Sequence, residues 1–206
     1  MIQIYLSKAL AGNMKPILSA ELDIQPDGMH WYAHLVTLPQ GRCVLAMEEY
    51  SRYVMLFTDV DFDDISHFPE LFRERLWREV LAVCMLDDNS TKDVLGALVD
   101  QLSIQQVYRQ GYDASVMAHL RDVSQHLEEE TKKLGHLPRS QEDAFNFGLR
   151  VNDVERHRGG SSRGFRPLQL FSESWLGMLE FSYQQIKAHA LSGSPDNVIS
   201  LNSRRH

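Results

Sequence analysis

His30-Trp31-Tyr32-Ala33-His34-Leu35-Val36-Thr37-Leu38 runs into Pro39-Gln40-Gly41 and then into Arg42-Cys43-Val44-Leu45-Ala46-Met47-Glu48. This stretch decides the fold, because both arms alternate with a period of two around a turn, the signature of a β-hairpin. Trp31, Ala33 and Leu35 form one apolar set, and Cys43, Leu45 and Met47 form the other. Pro39 suits a first corner and Gly41 a left-handed position, so a three-residue loop pairs Leu38 with Arg42. That register sets Leu35 opposite Leu45 and Ala33 opposite Met47. Both apolar sets then share one inward face, and a slip of one residue would separate them. The reverse face carries His30, Tyr32, His34, Val36, Val44, Glu48 and Tyr50, with Glu48 opposite Tyr32.

Working outward, Ile2 to Leu6 and Tyr53 to Thr58 read as further strands, with a turn at Pro26-Asp27-Gly28. From Pro69 onward the period changes to that of helices. The segments are Pro69 to Met85, Thr91 to Leu102, Asp113 to Leu134 ending at Gly135, a fourth opened by Ser140 with Asp143 three positions on, and Glu173 to Leu191. The expected class is α+β: an N-terminal antiparallel β-meander packed against a mostly helical C-terminal part, with helices on one sheet face. No internal linker divides the chain, so residues 1–192 are expected to form one domain, β-rich over 1–65 and helical over 66–192. Residues 193–206 are expected to be a flexible tail.

The chain has 206 residues, 43% hydrophobic and 24% charged, enough to bury a core without staples. Two cysteines cannot make a disulfide framework, and both sit in apolar runs, which fits a reducing cytoplasm. The start, Met-Ile-Gln-Ile-Tyr-Leu-Ser-Lys, lacks the pattern of a secretory signal, and no apolar run approaches a membrane span. A net charge of -7 disfavours nucleic acid and anionic membrane as partners of the whole molecule. A protein partner or a second copy of the chain remains open.

The chemistry-bearing constellations are incomplete. His30 and His34 lie roughly 13 Å apart on a strand, too far for one zinc. Asp59, Asp61, Asp63 and Glu70 occupy four positions of a calcium loop, but Asp64 stands where the sharp turn needs glycine. They read better as an acidic turn before a helix. His119, Asp122, His126 and Glu130 share one helix face, yet the histidines are about 10.5 Å apart along the axis. A solvated face explains them. No metal site and no cofactor is expected, and there is no nucleophile elbow or activated thiol.

Two polar groupings remain as candidates. Arg156, Arg158, Arg163 and Arg166 surround Gly159-Gly160-Ser161-Ser162, where arginine forks and free amides suit an anion, although the ending of a P-loop is missing. Phe165 is the only aromatic residue among them, a poor platform for stacking single strands. Tyr32, His34, Arg42 and Glu48 of the hairpin, with Asn152 and Asp153 of the fourth helix, form a polar face that would make a hydrolase site if they met in space. A binding or interaction domain without catalysis is the leading expectation. The hydrolase with a site between the sheet and helix 140–157, and nucleic-acid or anion binding through 156–166, are the alternatives.

Trp31-Tyr32-Ala33-His34-Leu35 followed by Arg42-Cys43-Val44-Leu45 resembles a bacterial family known only as a domain of unknown function. Members carry a first strand, a Trp-x-Ala-Asn-Leu strand, an Arg-x-Cys-x-Leu strand and then helices; the likeness covers roughly residues 1–85. His34 stands in place of the usual asparagine, and Cys43 directly follows Arg42. Val151-Asn152-Asp153 resembles a Met-Asn-Asp stretch in the last helix of that family. The resemblance implies the fold and no particular chemistry.

Overall fold

A computed structural model describes residues 1–19, 28–158 and 163–191, with side chains up to residue 185. The expected turn at Pro26 and Asp27, the Gly159–Ser162 stretch and the tail from 193 lie outside the described residues. A five-stranded mixed sheet is formed by β1 (Ile2–Leu6), β2 (Met29–Leu38), β3 (Gly41–Glu48), β4 (Val54–Phe57) and β5 (Gln106–Gln110), in the order β4-β3-β2-β1-β5. β2, β3 and β4 make the antiparallel meander, while β1 joins β2 and β5 in parallel. Six helices accompany the sheet among the described residues: α1 (Lys8–Asn13), α2 (Phe68–Cys84), α3 (Asn89–Ser103), α4 (Ala114–Leu134), α5 (Gln141–Asn152) and α6 (Pro167–Leu191). The short strands β6 (Arg156–His157) and β7 (Gly164–Phe165) pair before α6. The α+β class holds, with one strand of the sheet, β5, drawn from between two helices.

The local signals place most helix ends. Pro69 sits in the first turn of α2, and Asp88 and Asp113 accept from the backbones of Thr91 and Val116 to cap α3 and α4. Gly135 takes φ +78 to end α4, and Ser140 and Asp143 close a reciprocal capping box on α5.

Helices cover both faces of the sheet, not one. Trp31, Ala33, Val44, Ala46, Met55 and Phe57 pack with α1, α2, α3 and α6; Tyr32, Val36, Cys43, Leu45, Met47 and Leu56 pack with α4 and α5. This corrects the hairpin register. Leu38 pairs with Gly41 across a loop of only Pro39 and Gln40, so Leu35 faces Val44, His34 faces Leu45 and Tyr32 faces Met47. Trp31 and Leu35 therefore lie on the opposite face from Leu45 and Met47, and Glu48 pairs with Trp31 instead of Tyr32. The reason is physical: a slip of one residue costs a sheet dearly only when its reverse face is wet, and here apolar helices receive either set.

Among the described residues no helix is long and apolar enough to cross a membrane. Cys43 and Cys84 are free, buried and on opposite sides of the sheet.

Candidate functional site

The turn between β3 and β4 begins the site. The buried Glu48 carboxylate accepts from the backbone amides of Tyr50 (2.8 Å) and Ser51 (2.6 Å), which folds the chain tightly. Arg52 then adopts φ 62, a left-handed conformation that costs a non-glycine residue. Its guanidinium bonds hold it there, to the Glu49 carbonyl and to Ser115 Oγ at 3.1 Å on α4. The consequence is that Tyr50 is thrust outward, 57% exposed.

Across from Tyr50 stands the β6–β7 pair. The absence of a Cβ at Gly164 leaves room for the exposed Glu155 side chain, whose Oε1 would lie 1.7 Å from a Cβ placed there. Arg158 donates to the Tyr50 carbonyl, and its guanidinium lies 5.2 Å from the Tyr50 ring and 5.2 Å from the Phe165 ring. These are cation–π distances on two aromatic faces at once. Arg163 and Arg166 line the same cleft, whose volume is about 460 Å³. Arg166 pairs with Asp153 at 2.9 Å, and Glu173 of α6 accepts from Gln169 at 2.7 Å on the far wall.

Three of the four expected arginines thus converge, and the fourth does not. Arg156 is buried beneath them, donating to the Val151 carbonyl at 3.3 Å. Burial lowers its pKa, and burial likewise lowers that of His119, with Arg156 and Arg52 adding to the effect. Arg52 is lowered by burial first and by Arg158 next. Burial and mutual repulsion thus disfavour the charged forms of the basic side chains near Arg158. His119 also meets Phe165 edge-on at 6.5 Å. The sequence reading did not bring Tyr50, Gln169 or Glu173 to this cleft; Tyr50, the partner of Arg158, stands 108 positions before it in the chain.

The other six candidates disperse. Tyr32 is buried and stacked on Tyr5 at 4.9 Å, and burial first and the Glu49 charge second push its hydroxyl up to about 12. His34 opens instead into a groove beside Arg121, Gln125 and Glu128 of α4, its pKa lowered by burial and then by Arg121. Arg42 lies on the other face of the sheet, 4.4 Å above the Phe62 ring. Glu48 is committed to its turn. Asn152 is fully buried against β4, where Val54 N–H donates to its Oδ1 and its Nδ2 donates to the Val54 carbonyl, both at 2.9 Å. Asp153 alone reaches the arginine cleft, through Arg166. No acid, base and anion clamp from this set face one space among the described residues.

The remaining clusters serve the backbone or each other. Asp61 accepts from the amides of Asp63 and Asp64, and Asp64 caps the short turn before α2. On α4, Glu130 holds Arg150 at 2.6 and 2.8 Å.

No curated protein and no solved structure matches this chain. A family model does match, over residues 3–169, which takes in the whole sheet, helices α1 to α5 and the β6–β7 pair. The match extends well past the hairpin region that carried the resemblance. The chain belongs to the family described as Domain of unknown function (DUF6933).

Proposed function

We propose that this α+β fold serves as a binding domain whose recognition surface is the cleft between Tyr50 and the β6–β7 pair, and that it receives a small anion. The observation that carries the reading is the Arg158 guanidinium set between two aromatic rings, with Arg163 and Arg166 lining the same space. Guanidinium forks bind phosphate or carboxylate through paired donors, and aromatic faces keep such a fork in place. The overall charge of -7 favours a compact anion over a long polyanion, which would meet repulsion beyond the cleft. Two buried free thiols suit a reducing, cytoplasmic setting.

Calorimetric titration of the full chain with ATP and with inorganic pyrophosphate tests this. Binding at low ionic strength that weakens as salt is raised, and that falls at least about tenfold in Arg158→Ala, is the expected result. No heat at low ionic strength, or equal affinity in the variant, overturns the proposal.

A further inference from the structure

The arginine cleft holds one group that a bare anion does not use. Its far wall is the start of α6, where Arg166, Gln169, Leu170 and Glu173 recur at helical spacing along one face. The Arg166 carbonyl accepts from the Leu170 amide at 3.1 Å, so Arg166 stands on the first turn. From Arg166 to Glu173 is then roughly 10 Å along the axis. Charge changes sign over that distance. Glu173 accepts from the neutral Gln169 amide at 2.7 Å and has no salt bridge among the described residues, whereas three arginines line the same space. Leu170 lies between Arg166 and Glu173 on α6, and the rings of Phe165 and the outward Tyr50 wall the cleft as well.

A carboxylate in an anion cleft repels a bare anion. Glu173 therefore favours a ligand whose second end donates hydrogen bonds. An ammonium on a flexible chain would satisfy the carboxylate but not the aromatic walls, while a flat ring bearing N–H groups satisfies both. Among nucleobases, guanine offers two parallel donors, N1–H and the 2-amino group, in the fork that a carboxylate accepts. Adenine sets its one donor beside a ring nitrogen whose lone pair repels a carboxylate oxygen. A ribose phosphate supplies the span from base to anion, and a cleft of about 460 Å³ has the size of an ordinary small-ligand site.

We infer that the ligand of this cleft is a guanine nucleotide, its phosphates held by the arginines and its base read by Glu173. The inference rests on the anion reading of the cleft and adds Glu173 to it as the residue that sets specificity.

Calorimetric titration with GDP, ADP and pyrophosphate at one low ionic strength tests this, in the full chain and in Glu173→Gln. Glu173 is exposed, so the variant is expected to fold. GDP is expected to bind about tenfold more tightly than ADP, the effect of one bidentate contact. In Glu173→Gln that preference should vanish, while pyrophosphate binds as tightly as before or more tightly because a repelling charge has gone. Loss for GDP without loss for pyrophosphate separates base recognition from simple electrostatics, which would strengthen all three ligands alike. Pyrophosphate binding with equal affinities for GDP and ADP, or a preference for GDP that survives in Glu173→Gln, overturns the guanine inference and leaves the anion reading standing. No binding of any of the three overturns both.

Discussion

The side-chain amide of Asn152 pairs with both backbone groups of Val54, accepting from its N–H and donating to its carbonyl at 2.9 Å each. The side chain thereby acts as a one-residue strand along the outer edge of β4, the edge strand of the sheet. An open edge is a hazard for self-association, and this contact occupies part of it while fastening α5 to the sheet.

Asn152→Ala leaves both Val54 groups buried without partners and is expected to cost about 2–4 kcal/mol in denaturant unfolding. Asn152→Asp keeps the acceptor but loses the donor and buries a charge. It should be the less stable variant at neutral pH and recover as the solution is acidified.

The hairpin register makes a local prediction. Glu49 N–H donates to the His30 carbonyl, so Trp31 and Glu48 form a pair without mutual backbone bonds, and Ala33–Ala46 and Leu35–Val44 follow by alternation. Strong Hα–Hα contacts between Leu35 and Val44, and between Ala33 and Ala46, are the expected NMR result. Contacts from Leu35 to Leu45 in their place would mean that the two apolar sets share one face after all.

Glu79 is almost fully buried, and burial raises its pKa against the opposing pull of Arg75 and the Tyr53 hydroxyl. An acid that holds its proton longer in the folded chain contributes stability that is full below its unfolded pKa, about 4.3, and is lost as pH climbs through the folded value. Stability measured by urea unfolding should therefore show a downward contribution from about pH 4 upward, absent in Glu79→Gln. That variant keeps an acceptor for Tyr53 but strands Arg75, at a cost of about 3–5 kcal/mol at neutral pH.

Burial pushes the Cys43 thiol up to about 12 and the Cys84 thiol to about 11. Thiolate is the reactive species, so both should resist an alkylating reagent at pH 8 by at least about a hundredfold relative to a free cysteine. Labelling is expected to proceed at the rate of unfolding and to become rapid in urea. Fast modification of Cys43 in the folded chain would contradict its placement between β3 and α4.

The amino-acid order alone determined which segments become strands and helices wherever a local signal was strong. Pro69, Asp113, Gly135 and the Ser140–Asp143 box act within one helical turn, and they mark boundaries without help from distant residues. β5 had no such marker, since Gln106-Val-Tyr-Arg-Gln110 becomes a strand by lying against β1 from a hundred positions away. Register and site were decided only in three dimensions. With helices on both sides of the sheet, apolar residues are stable on either face, so alternation ceases to select between pairings one residue apart. The arginines of 156–166 were visible as a cluster, but the inward turn of Arg156, and Tyr50 as the partner of Arg158, depend on where the β3–β4 turn meets β6 and β7. Helix caps are written in neighbouring residues, whereas a cleft is written in which surfaces come to lie opposite each other once the core has been buried.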